Sequence, residues 1–328
     1  MTAKQFFLSI LICFALGCHS SVAQETGDAK DNDQKSREVA VESDMSNPEI
    51  SRVDQAFSAY QRGMYLTAFD LALPVATEGN AAAQTLIAEL YERGLGIPQN
   101  LEEATDWYEI AAKSGNREAQ FAYGVKLLEG KYIEKNVELG LEMMKAAADA
   151  GHPTAMFNYA THLVNERPTS STYRKALPLF EKAAEYRLAD AYYSLAKIYD
   201  DGLATGINDP EKGLYWLEKA ASSGIDTAQV ELAIKLLNMP KGERDAVRAF
   251  SLLKLAANRG NVIAQNRLSH MLFEGIGTEK SDVEAAMWHI LASRSGRNDF
   301  DLDLYLHALP IDVRQQALAQ ANRWPSVR

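Results

Sequence analysis

Residues 83–97 read Ala83-Gln84-Thr85-Leu86-Ile87-Ala88-Glu89-Leu90-Tyr91-Glu92-Arg93-Gly94-Leu95-Gly96-Ile97, and Ala104-Thr105-Asp106-Trp107-Tyr108 follows before Ala111-Ala112 and Gly115. This stretch returns along the chain. Its terminal glycine stands at Gly79, Gly115, Gly151, Gly224, Gly260 and Gly296, at spacings of 36, 36, 73, 36 and 36. The double interval implies a further unit ending near Arg187 to Leu188, with one residue inserted before Gly224. Aligned on Ala83, Ala119, Ala155, Ala191, Ala228 and Ala264, the residue five further on is always small. Residues four and eight further on are large and apolar, as in Ile87 and Tyr91 or Leu268 and Leu272. Offsets of 0, 4, 5 and 8 mark one face of a helix, and the small residues on it admit a close neighbour. A unit repeated at this period builds a solenoid.

A second helix starts in each unit. Asn100, Asn136, Thr172, Asp209, Asp245 and Ser281 stand in register as N-caps, four residues before Ala104, Gly140, Ala176, Gly213, Ala249 and Ala285. Their side chains can accept from N–H groups that the first turn leaves unpaired. Pro210 suits the first helical position, and Ser281 with Glu284 spells a capping box. Trp107, Met143, Leu179, Trp216, Leu252 and Trp288 share one position, which makes the tryptophans core residues. Gly94, Gly130, Gly202 and Gly275 end the first helices; Glu166 and Met239 replace that glycine in units three and five, whose turns should differ. Gly94-Leu95-Gly96 lacks the preceding strand and the spacing of a phosphate loop.

These motifs resemble the Sel1-like repeat, six times over across residues 80–297. The resemblance implies an all-α fold, a right-handed α-solenoid of antiparallel helix pairs related to tetratricopeptide arrays, and a role in binding other proteins. Residues 49–79, with Ala56, Tyr60, Gly63, Tyr65 and Ala68, are similar to a tetratricopeptide hairpin and read as an N-terminal cap. Residues 298–328 offer two short helices as a C-terminal cap, which an open terminal repeat needs; this tail resembles that of extracytoplasmic bacterial Sel1-like proteins.

Residues 1–23 have the form of a bacterial export signal: Lys4, an apolar run from Phe6 to Gly17, and Ser21-Val22-Ala23 before the cleavage point. Ala15-Leu16-Gly17-Cys18 is an imperfect lipobox, so the alternative to a soluble periplasmic or secreted protein is a membrane-anchored lipoprotein held at Cys18. Residues 24–48, rich in Asp and Glu and poor in apolar side chains, read as a disordered acidic linker. Both cysteines, Cys13 and Cys18, lie in or beside the signal, so a released chain has no disulfide. The net charge of −10 argues against nucleic acid and anionic membrane surfaces, leaving the membrane as a partner only if Cys18 is lipidated.

No metal spacing joins the six histidines, no nucleophile or nucleotide motif occurs, and no cofactor is expected. The sequence reads as a non-enzymatic scaffold with a protein partner, possible alternatives being an envelope structural protein that recognises peptidoglycan or glycan and, last, an envelope hydrolase. By analogy with tetratricopeptide arrays the first helices line a concave groove, and the residue two past each anchor points into it. These residues include Phe121, Phe157 and Tyr193, which either form an apolar ladder for a partner segment or pack between neighbouring first helices. Polar candidates for the same face are Glu89, Lys197, His270, Asp201, Asn165 and Asn238.

Overall fold

The structure, a computed structural model, describes residues 51–240 and 245–324. The export signal, the acidic linker and Cys18 lie outside the described residues. Among those described there is no strand, and sixteen helices follow one another. The N-terminal hairpin is α1 (Arg52–Gln61) and α2 (Tyr65–Thr77). Six pairs follow: α3 (Ala81–Arg93) with α4 (Leu101–Lys113), α5 (Arg117–Glu129) with α6 (Val137–Asp149), α7 (Pro153–Glu166) with α8 (Ser170–Glu185), α9 (Ala189–Asp200) with α10 (Pro210–Ser222), α11 (Asp226–Asn238) with α12 (Ala246–Asn258), and α13 (Val262–Glu274) with α14 (Asp282–Arg294). The short α15 (Phe300–Ala308) and α16 (Ile311–Arg323) close the series.

The chain divides into two compact units between Pro168 and Thr169, inside the third repeat. In the N-terminal unit each helix from α1 to α7 packs on the next. The C-terminal unit does the same from α8 to α14; α16 then covers α14 broadly while α15 touches it lightly. Nearest-neighbour stacking is what the repeat predicts, because no single hairpin can bury both its faces.

The small positions are the contact points. All six anchor alanines are fully buried, as are Ala104, Ala176, Ala249 and Ala285 of the second helices. In the second repeat both facing positions are glycine: a Cβ on Gly124 would lie 3.0 Å from the Gly140 carbonyl oxygen, and one on Gly140 3.1 Å from that of Gly124. The two helix backbones meet there.

Second helices are capped by Asn100, Asn136, Asp209, Asp245 and Ser281 as expected. Thr172 is a correction. Helix α8 begins earlier, with Thr169 as its N-cap and Thr172 as the third helical residue, and these two threonines form a reciprocal capping box. At Ser281 the hydroxyl accepts from the Glu284 N–H. The C-terminal turns also follow the glycine pattern: Gly94, Gly130 and Gly275 are left-handed caps, whereas α7 and α11 end in extended residues at Arg167 and Met239. Where the repeat-ending glycine is replaced, Arg187 itself adopts φ +63.

Two further devices join one repeat to the next. The residue after four of the repeat-ending glycines caps the next first helix: Asn80, Asn116, His152 and Asn261 all accept an N–H from three residues on, whereas Ile225 after Gly224 makes no side-chain cap. Next to four of the anchors, Gln84, Gln120, Gln229 and Gln265 donate from Nε2 to Ala76, Ala112, Ala221 and Ala257, carbonyls at the end of the preceding helix. Each glutamine thereby ties one repeat to the last turn of another.

The histidine cap has a pH consequence. His152 accepts the Ala155 N–H through Nδ1 at 3.1 Å, so it works only when that nitrogen is unprotonated. Burial holds its pKa below the usual histidine value, opposed by Glu118 and assisted by Arg117. A base whose folded pKa is depressed contributes stability that is full above its unfolded pKa and is lost as pH falls below it. Urea midpoints should therefore fall between pH 7 and 5 by more in the native protein than in a His152→Asn variant, whose amide caps at either pH. Equal falls in both proteins would rule out this role for His152.

Candidate partner-binding face

The first-helix residues singled out by sequence fall on both units: Glu89, Phe121 and Phe157 on the N-terminal one, Tyr193, Lys197 and His270 on the C-terminal one. They do not present a bare aromatic ladder. Phe157 keeps only 4% and Tyr193 only 6% of its surface in solvent. At the same offset Val230 and Asn266 are also buried. Phe121 is half-buried and stacks on the His152 ring, centroids 4.4 Å apart and planes at 20°. Of the two roles open to these aromatics, burial is the one realised for Phe157 and Tyr193.

The polar candidates behave differently. Glu89, Lys197 and His270 leave 30, 34 and 33% of their side chains exposed. Each meets a partner outside its own helix. Glu89 accepts from the Tyr60 hydroxyl at 2.7 Å and pairs with Arg93 at 3.2 Å. Lys197 lies 3.7 Å from Asp201 and 3.9 Å from Glu231, and the Tyr193 hydroxyl donates to the same Glu231 at 2.8 Å. His270 meets Asp299 at 2.9 Å, where Asn266 also donates. Burial would raise the Asp299 pKa, but the bonds from Asn266, His270 and the Leu302 N–H outweigh it and hold the carboxyl far below the usual range. Asn238 is exposed and Asn165 half-buried.

Sequence reasoning missed a second set of ties between helices within each unit. In the N-terminal unit Glu92 accepts from Lys126 at 2.6 Å and from Tyr108 at 2.9 Å, joining α3, α4 and α5. In the C-terminal unit Lys235 donates to Asp200 at 2.7 Å. Both links run from a lysine seven past one anchor to a carboxylate nine past the previous anchor; that recurrence was the available signal. Burial, and then the neighbouring carboxylate, push the Tyr108 and Tyr193 hydroxyls far above their usual pKa, so both stay protonated donors.

Trp288 is buried as expected, and Trp107 packs partly buried on the adjoining core. Trp216 is only half-buried. It stacks on Tyr192 and meets Tyr215 edge-on, and the Lys219 ammonium lies 4.9 to 5.6 Å from all three ring centroids. A lysine thus occupies the ring faces that a sugar would need. Among the described residues no group of three or more His, Cys, Asp or Glu is placed to hold a metal ion. No described helix is long and apolar enough to cross a membrane.

Serial hairpins with small residues at the contacts and a polar first-helix face define a helical-repeat scaffold. The chain belongs to the Sel1 repeat family: the family model matches residues 81–116, 117–152, 153–185, 189–225, 227–261 and 262–296. It is similar to a Sel1 repeat protein from Oxalobacter formigenes, 29% identical with a TM-score of 0.62 over 77% of this chain and 99% of that one. A protective antigen present in uropathogenic Escherichia coli strains shares the fold at 23% identity, with a TM-score of 0.57 over 84% of this chain and 68% of that one. Among curated proteins, Chitin synthase regulatory factor 3 of Schizosaccharomyces pombe is 26% identical over 129 residues, which make up 39% of this chain and 14% of that protein. The match thus spans about one-seventh of that relative's length. Sel1 repeats generally mediate contacts between proteins, and this chain carries six of them.

Proposed function

We propose that this chain is an exported, non-enzymatic scaffold whose first-helix face captures a protein partner in the bacterial envelope, where it regulates a signalling or assembly complex. The observation that carries the reading is the holding of Glu89 and His270 by hydrogen bonds to Tyr60 and Asp299, and of Lys197 by ion pairs with Asp201 and Glu231, while a third of each side chain stays in solvent. Side chains immobilised before binding lose little entropy when a partner arrives. Their mixed charge suits a peptide segment or folded domain better than a polyanion, in keeping with the net charge of −10. Export rests on the residue pattern of 1–23, with Cys18 as the residue that would carry a lipid.

Photo-crosslinking from positions 89, 197 and 270 in cells tests the proposal. An envelope protein captured from one or more of these positions, and not from the exposed position 102 on a second helix, is the expected result. Capture equally strong from position 102, or none from any of the three, would refute it.

A further inference from the structure

The fourth repeat differs from its relatives in one loop. From the glycine after the first helix to the cap of the second, repeats one, two and six advance six positions: Gly94 to Asn100, Gly130 to Asn136 and Gly275 to Ser281. The fourth advances seven, from Gly202 to Asp209, which locates the inserted residue. In the first repeat the loop isoleucine, Ile97, packs against the core. In the fourth, Ala204 is buried and Ile207 is 76% exposed. Beside Ile207 lies a cavity of about 430 Å³, floored by Leu177, Ile198 and Ala204 and edged by Asp209, Glu211 and Lys212.

The exposed isoleucine is held in place. Thr205 Oγ1 donates to the Ile207 carbonyl at 2.9 Å and accepts its N–H at 3.1 Å, the Gly206 N–H donates to Gly202 O at 2.7 Å, and the Asp209 N–H to Tyr199 O at 2.8 Å. Gly202 has φ +61, and a Cβ there would stand 2.6 Å from the Ile207 carbonyl carbon, so the loop can close only over a glycine. A fixed aliphatic residue above an apolar hollow of this size is the form of a binding site rather than of a loose loop.

The charges at the edge select the occupant. The Lys212 ammonium is engaged, 3.4 Å from Asp209 and 5.1 Å from the Tyr199 ring centroid. Glu181 accepts the Tyr199 hydroxyl at 2.7 Å, and burial followed by that bond pushes the hydroxyl up to about 12. Glu211 makes no ion pair with any described residue. The surplus is negative, which disfavours an acidic segment and favours a basic one.

We propose that the groove beside Ile207 docks a partner segment bearing a bulky aliphatic residue next to a lysine or arginine. This rests on the protein-binding reading above and names the chemistry of one contact within it. Two fluorescein-labelled decapeptide pools provide the probe, one with Leu-Lys or Leu-Arg fixed at the centre and random elsewhere, the other with Leu-Glu. Anisotropy titrations against the full chain should show binding of the basic pool, weakened by raised salt. Ile207→Ser and Glu211→Lys should each weaken it at least about tenfold. Both positions are exposed, so the unfolding midpoints of these variants should stay at the native value. Equal binding of the Leu-Glu pool, no binding of either pool, or titrations unchanged by Ile207→Ser would overturn the proposal. If crosslinking from positions 89, 197 and 270 persists in an Ile207→Ser chain that binds no basic peptide, the groove is excluded while the scaffold reading stands.

Discussion

Replacing Phe157 by alanine is expected to lower the stability of the chain by about 3–5 kcal/mol, the usual cost of emptying an aromatic site in a core. The ring keeps only 4% of its surface in solvent. A surface aromatic that merely waits for a partner would cost well under 1 kcal/mol to truncate. Urea unfolding followed by helical circular dichroism separates the two. Because repeat stabilities add locally, the loss should appear as an early transition of the surrounding repeats rather than a uniform shift. A variant that unfolds like the native chain would return Phe157 to the surface.

Gly277→Ala is expected to be the most damaging glycine substitution in the loops. Gly277 has φ +68, and a Cβ on it would stand 2.1 Å from the Ala246 carbonyl oxygen, in the backbone at the start of α12. The left-handed conformation alone costs roughly 1–2 kcal/mol for a residue with a Cβ. The overlap must also be relieved by moving backbone, so the total loss should reach about 3 kcal/mol or more. Gly206→Ala is the control: φ is +78 and nothing lies within 4 Å of its Cβ. It should lose only the conformational part. Equal falls in melting temperature for the two variants would show that the close approach of the loop to α12 is not tight.

Much of the fold was legible because its determinants are local. The anchor alanines, the second-helix caps and the αL glycines each act within one or two turns of helix, so their spacing alone placed the elements. The roles left open were those that a second helix decides. A residue two past the anchor sits about 200° around the helix from it at 100° per residue. Whether Phe157 or Tyr193 meets water there depends on how the adjoining first helices lie against it, which no spacing records. Thr172 was misread for a local reason: it does take part in a capping box, but Thr169 begins the helix. The inserted residue was countable from sequence, and Gly202 and Asp209 already bracket it there; only the structure shows that Ile207 beside it stays exposed.

By itself, the amino-acid sequence determined the repeat, its period, its helical character and the family, since each follows from which residue types recur at which offsets. Only the tertiary structure decided which polar residues are fixed and which aromatics are buried. Glu92 gathers Tyr108 and Lys126 from two further helices, and Asp299 gathers Asn266 and His270 from another. Helical periodicity describes one helix at a time, whereas burial and hydrogen bonding depend on the distances between helices.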